Sequence, residues 1–216
     1  PRGDADLCRT LVEDFPGAVE WLEALDAPVA ATSAAPHKGF DRWAINMEPG
    51  TSHFAAHMRR VFQEGGGDLL LNTSAMALEL GGAGEVTGIV ARTLEGVRTI
   101  EAGAVILATG GFQGNPDLMS RYFGQWADRL ILRANPRSTG DGLILGTQIG
   151  AATSHSMTSF YGHLLPGPPA QVPNDDFVAY THYFSDEAVL VNLRGERFVD
   201  ESQGDEMNAQ ATTQES

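Results

Sequence analysis

Ala104-Val105-Ile106-Leu107-Ala108-Thr109-Gly110-Gly111-Phe112 is the segment on which the fold turns, an unbroken apolar run closed by two glycines. A short run without polar alternation is what a strand buried in a parallel sheet requires. Residues lacking Cβ atoms at its end let a ligand approach the backbone, although such a strand end is more often just a tight turn into a helix. A helix is expected next. Asn115 is placed to cap it, Pro116 suits its first turn, Asp117 complements its positive end, and Gly124 lies past its last turn.

Upstream, Leu69 to Leu71, Ala75 to Leu80, Val86 to Thr93 and Val97 to Ile100 are short β-rich runs separated by glycines, which predicts a β-meander. Gly81 to Gly88, GGAGEVTG, fails the dinucleotide pattern because Thr87 stands where its last glycine is needed, so it reads as a hairpin turn. Earlier still, Thr51 is expected to cap a helix with Phe54, Met58, Val61 and Phe62 on one stripe, stopped by Gly65, Gly66 and Gly67. His53 and His57 stand four apart on that helix. Phe54 occupies the place of a zinc-protease acid, so the two histidines read as a solvated flank beside Arg60 and Glu64, with no metal. Pro28 to Gly39 reads as loop. The opening reads as two short helices, one with Leu7, Leu11 and Phe15, the other starting at Pro16 with Val19, Leu22 and Leu25.

Downstream, Ser138-Thr139-Gly140-Asp141-Gly142 opens a helix with apolar Leu143, Leu145 and Ile149 and an end at Gly150. Free N–H groups at such a start hold a phosphate, a carboxylate or a flavin carbonyl, and ordinary capping explains the same residues. Pro166, Pro168, Pro169 and Pro173 mark a stiff loop, preceded by Tyr161 and His163. Ala188 to Asn192 and Arg197 to Val199 flank Arg194-Gly195 as a hairpin.

With 216 residues the chain is long enough to bury a core without staples. Its 14 Lys and Arg against 28 Asp and Glu leave a net charge of −14, which repels phosphate backbones and anionic lipid, so nucleic acid is not an expected partner. Apolar runs such as Ala104 to Ala108 fall far short of the ~20 residues of a membrane span. The single Cys8 forms no internal disulfide, and a cytoplasmic location is expected.

Taken in order, the meander, AVILATGGF, NPDLMSRYFG, STGDGL and NLRGERFVDE resemble the fumarate reductase/succinate dehydrogenase flavoprotein superfamily. The resemblance is closest to its branch of tricarballylate dehydrogenase-like and 3-ketosteroid dehydrogenase-like FAD enzymes. It implies an α/β (α+β mixed) chain: a partial doubly wound FAD-binding domain with an inserted meander over residues 1–157, and the start of a substrate-capping domain over 158–216. It implies FAD as cofactor, held by Ala108, Thr109, Gly110 and Gly111, with Thr139, Gly140, Asp141 and Gly142 near the flavin and Ala75 and Met76 near the adenine. It also implies His163 at a substrate carboxylate and Arg197 and Glu201 in an active-site cap. The implied activity is hydride transfer between flavin and a CH–CH or C=C bond next to a carbonyl or carboxylate of a small molecule.

Three departures accompany the resemblance. The family's N-terminal GxGxxG is absent, so that unit is expected to have preceded Pro1, and the isolated 216 residues are expected to be inactive. Asp205 stands where fumarate reductases carry a proton-donating Arg, and Leu164 stands where a Pro usually follows the His. A non-catalytic remnant of the scaffold, or a partner-binding module without cofactor, is the alternative reading.

Overall fold

The structure is a computed structural model and describes residues 4–37, 40–154, 157–167, 169–173 and 177–215. Pro1, Gly39 and Pro168, named above, lie outside these. The chain divides into one compact unit up to Thr73 and a second from Ser74 onward.

In the first unit, α1 (Ala5–Ala24) is one helix where two are expected. Asp4 Oδ1 caps it, accepting from the N–H groups of Asp6 and Leu7 at 3.0 and 3.1 Å. Pro16 lies inside. Proline forfeits one helical hydrogen bond, but its fixed φ is helical, and the turns on both sides carry the helix through. The loop expected over Pro28 to Gly39 is also corrected: β1 (Val29–His37) pairs antiparallel with β2 (Phe40–Met47), Val29 opposite Met47. VAATSAAPH lacks the alternation that announces a strand, and the ladder to β2 makes it one.

The helix α2 (Thr51–Glu64) stops at Gly65 as expected, but Gly50 occupies the cap position and Thr51 is the first helical residue, with no side-chain cap. His57 is not a solvated flank. Its Nε2 lies 2.7 Å from the Leu25 carbonyl oxygen, while Arg60 Nη2 donates to its Nδ1 at 3.2 Å. The ring thus ties α2 to the end of α1, whereas His53 is exposed.

In the second unit, β3 (Ser74–Leu80), β4 (Val86–Thr93) and β5 (Gly96–Glu101) form the expected antiparallel meander in that order, with Ala91 fully buried on the central strand. Gly81 to Glu85 make the turn, closed by Gly81 N–H to the Glu85 carbonyl at 2.8 Å. Leu69 to Leu71 form no strand. Both helices that the glycine-rich segments introduce are present: α3 (Pro116–Phe123), capped by Asn115 Oδ1 accepting from Leu118 N–H at 3.2 Å, and α4 (Asp141–Gln148). Leu118 and Met119 of α3, Ala127 and Leu145 are buried together with Ala209 of a later helix.

Val105 to Leu107 pair with no strand among the described residues, and Ile106 is 88% exposed. A strand exists only within a ladder, and the described strands supply none beside it. Further on come α5 (Phe177–Tyr180), a hairpin bridged between Val191 and Arg197, and α6 (Asp205–Thr212). The hairpin turns on Asn192, whose Oδ1 accepts from the N–H groups of Arg194 and Glu196, both at 3.0 Å.

Candidate functional site

The two glycine-rich loops lock together. Gly140 N–H donates to the Gly111 carbonyl at 3.1 Å, Gly114 N–H to the Ser138 carbonyl at 2.8 Å, and Asn115 Nδ2 to the Thr139 carbonyl at 3.0 Å. Gly142 N–H donates to Thr109 Oγ1 at 2.9 Å, so a residue of the first loop caps α4, the helix that the second loop opens. Thr139 Oγ1 donates to Asp141 Oδ1 at 2.8 Å. Seven of the sequence-derived positions, Thr109 to Gly111 and Thr139 to Gly142, are thereby held as one structure. Two of its glycines are there for space: a Cβ on Gly140 would lie 2.6 Å from Leu118 Cδ1, and one on Gly142 would lie 2.6 Å from Thr109 Oγ1.

Ala75 and Met76 sit elsewhere, on β3, where the register to β4 shifts between Ala75 and Ala77. That strand packs beside α4. Met76 is 41% exposed.

A cavity of about 840 Å³ opens next to the loop pair. Gly111 to Gly114 form part of its wall, and Tyr161, His163 and Arg133 form another part. Between them runs an aromatic surface, with the Phe112 and Phe123 rings stacked at 5.7 Å and Phe123 meeting Phe160 edge-on at 5.2 Å. Apolar walls of this kind bury the body of a small molecule, and the few polar groups orient it.

His163 is the centre of the polar part, with its side chain only 3% exposed. Its Nδ1 is bound by Asp205 Oδ2, at the start of α6, and its Nε2 lies 2.9 Å from Tyr161 Oη. The Tyr161 and Tyr183 rings stand edge-on to the imidazole at 4.9 and 4.8 Å. Arg133 Nη2 in turn donates to Tyr183 Oη at 3.4 Å, and its guanidinium lies over Phe177.

Arg197 and Glu201 meet each other and form a separate pair. Arg197 Nε donates to Glu201 Oε2 at 2.9 Å and Nη2 donates to the same oxygen, while Leu190 N–H donates to Oε1 at 2.7 Å. The guanidinium first, then the Leu190 amide, hold the Glu201 carboxyl down at about 2. It stays ionised at neutral pH and fastens the hairpin to the turn before α6. Neither Asp205, named from sequence only as a departure from the family's Arg, nor Tyr161, named only as a loop neighbour of His163, is among the site residues expected from sequence. The spacing of Tyr161 and His163 puts both on one side of an extended segment, which is a usable signal. Nothing local points from Asp205 to a histidine 42 positions away.

Residues 1–216, the whole chain, match the model of the FAD binding domain family. The chain belongs to that family. Over 93% of its length it is 30% identical to the vinyl phenol reductase of Lactiplantibacillus plantarum, covering 41% of that protein. Over 92% it is 28% identical to the NADH:acrylate oxidoreductase of Vibrio harveyi, covering 20% of that one. The chain therefore spans less than half the length of these curated relatives. Among solved structures, the open conformation of a flavocytochrome c3 fumarate reductase superposes with a TM-score of 0.73 at 24% identity, over 97% of this chain and 36% of that one. The 3-ketosteroid-Δ4-(5α)-dehydrogenase of Rhodococcus jostii RHA1 superposes with a TM-score of 0.70 at 20% identity, over 99% and 48%. The mixed helix and sheet architecture is thus that of the fumarate reductase-like flavoproteins.

FAD is the cofactor of this FAD binding domain, and the loop pair fits such a group. Ala108, Thr109, Gly110 and Gly111 are all exposed and carry nothing bulkier than a threonine side chain, so a planar ring system can reach their backbone. The chain carries no described helix long and apolar enough to cross a membrane.

Proposed function

We propose that this chain is part of an FAD-dependent oxidoreductase that moves a hydride between flavin and a CH–CH or C=C bond next to a carbonyl or carboxylate of a small molecule. One observation carries the reading: a single cavity has the glycine-rich loop Gly111 to Gly114 in one wall and His163 with Tyr161 in another. A cofactor on the first wall and a substrate against the second would share one largely apolar cavity, which sets the two within reach of each other for hydride transfer. The relatives named for vinyl phenol and acrylate support the choice of a carbon–carbon double bond.

In this reading Ala108 to Gly111 and Thr139 to Gly142 hold the flavin, and Ala75 and Met76 lie toward the adenine. Bound FAD supplies the two-electron chemistry; the protein orients, excludes water and handles the proton. Residues 1–157 serve as the FAD-binding part and 158–216 begin the cap, with His163, behind Tyr161, on the substrate side of the cavity and the Arg197–Glu201 pair shaping the cap segment. The exposed Cys8 thiol suits a reducing cytoplasm.

The test is a visible spectrum. Protein carrying this chain is mixed with FAD, desalted and scanned; the reading expects a retained flavin band that, once reduced, is reoxidised by one of acrylate, fumarate or urocanate. A colourless protein overturns the cofactor reading, and a retained flavin that none of these reoxidises overturns the substrate class.

A further inference from the structure

The oxidoreductase reading above leaves one task unassigned: a hydride moved to or from one carbon must be matched by a proton moved at its neighbour. Glu201 is unsuited to it, because Arg197 and the Leu190 amide hold it as a carboxylate. Beside the cavity, Tyr161, His163 and Asp205 form a hydrogen-bonded chain, and its order is fixed by which atoms can donate.

Asp205 begins α6, and as a carboxylate it can only accept. His163 Nδ1, bound to Asp205 Oδ2, therefore carries the ring proton. In the neutral ring this leaves Nε2 bare, so at 2.9 Å it accepts from the Tyr161 hydroxyl. Burial separates the members. The His163 side chain is 3% exposed and Asp205 14%, whereas Tyr161 is 77% exposed and lines the cavity. Of the three, Tyr161 is the one open to a substrate, and both imidazole nitrogens are already committed behind it. Tyr183, on the other side of the imidazole, is engaged by Arg133.

Resting on the oxidoreductase reading, we propose that Tyr161 is the proton-transfer residue of this site, with His163 and Asp205 as the positioning pair behind it. In the dehydrogenating direction the C–H bond next to the carbonyl breaks and its proton passes to Tyr161 Oη, whose own proton passes to His163 Nε2. The electron pair left behind forms the C=C bond as the hydride of the neighbouring carbon leaves for oxidised flavin. The imidazolium so formed is held by Asp205 through Nδ1. The reducing direction runs the same transfers backward.

Two flavin-free measurements on the full chain test this, so that loss of FAD retention and failure of the relay are told apart. The first is a long-range nitrogen–proton correlation spectrum of histidine-labelled protein at neutral pH, which reads the His163 tautomer. A protonated Nδ1 with a bare Nε2 is expected. A protonated Nε2 overturns the proposal, since Tyr161 could then pass no proton to it. The second is O-acetylation of Tyr161 by N-acetylimidazole, followed by mass spectrometry, with Tyr180 as an internal reference. If Nε2 takes the phenolic proton, His163→Gln slows Tyr161 acetylation on the order of a hundredfold, the range of general-base assistance, and leaves Tyr180 unchanged. Equal Tyr161 rates in the two proteins overturn the proposal. Should the variant misfold, seen as an altered Tyr180 rate, the spectrum of the unaltered chain decides.

Discussion

Thr109 caps a helix that begins 33 positions later, its Oγ1 accepting the backbone N–H of Gly142 at 2.9 Å. A helix start normally finds its cap in the residue just before it, and here Gly140 in that place has no side chain to offer. The cap therefore also fastens one glycine loop to the other. Thr109→Val keeps the shape and removes the acceptor; it is expected to lower unfolding stability by about 1 kcal/mol, read as a shift in the urea midpoint, with Thr109→Ser restoring most of it.

Gly140 is the less forgiving neighbour. Its φ of +86° lies in the left-handed region, and an added Cβ would stand 2.6 Å from Leu118 Cδ1 and 2.8 Å from Phe112 Cβ. Backbone strain of about 1 kcal/mol adds to an overpacking cost of about 1–3 kcal/mol, so Gly140→Ala is expected to destabilise by roughly 2–4 kcal/mol. Because the displaced atoms belong to α3 and to a cavity-lining phenylalanine, FAD retention should fall with it. An unchanged urea midpoint would show that the loop yields without cost.

The helices and turns were legible where one residue type carries one mechanism. Asn115 before Pro116, the glycines at 81, 82 and 84, and Arg194-Gly195 after Asn192 each state a local geometry, and each is found. What was not legible depends on partners far along the chain. VAATSAAPH becomes β1 only because β2 lies beside it, and Pro16 is tolerated only because the helix on both sides is already formed. Val105 to Leu107 read as a strand, yet hydrophobic pattern alone supplies no ladder. The loop pair was visible as two separate glycine motifs but not as one structure, because Thr109 and Gly142 announce nothing about each other. His163 stood out by type. Asp205, its partner, was conspicuous only as a departure from the family's arginine.

Asn208 is the one large side chain buried completely among the described residues. Its Nδ2 donates to Ser185 Oγ at 3.1 Å and to the Glu201 carbonyl at 3.2 Å, joining α6 to two neighbouring turns. Its Oδ1 is buried without a hydrogen-bond partner in the structure, so part of the gain is already offset. Asn208→Ala loses both donors and leaves a cavity, and a destabilisation of about 2 kcal/mol is expected by urea unfolding. Asn208→Asp should be worse, since it exchanges the two donated bonds for a buried charge facing the Glu201 carbonyl.

The Arg197–Glu201 pair gives this unit an acid-sensitive joint. Glu201 titrates at about 2 in the folded chain against 4.5 for an unconstrained carboxyl, held down first by Arg197 and then by the Leu190 amide. A folded value below the unfolded one means that the unfolded chain binds the proton more readily, so protons favour unfolding. The stabilisation is fully present above about 4.5 and is lost as the pH falls toward about 2. Urea midpoints measured through that window should fall with pH, and Glu201→Gln, which cannot ionise, should show a shallower fall and a lower midpoint at neutral pH. Equal slopes in the two proteins would mean that the pair persists in the unfolded chain or does not form. Because the hairpin and the turn before α6 are fastened by this pair, its rupture should also alter the long-range correlation signal of His163, which Asp205 of the same helix holds through Nδ1. A His163 signal that stays constant in Glu201→Gln would show that α6 keeps its place without the joint.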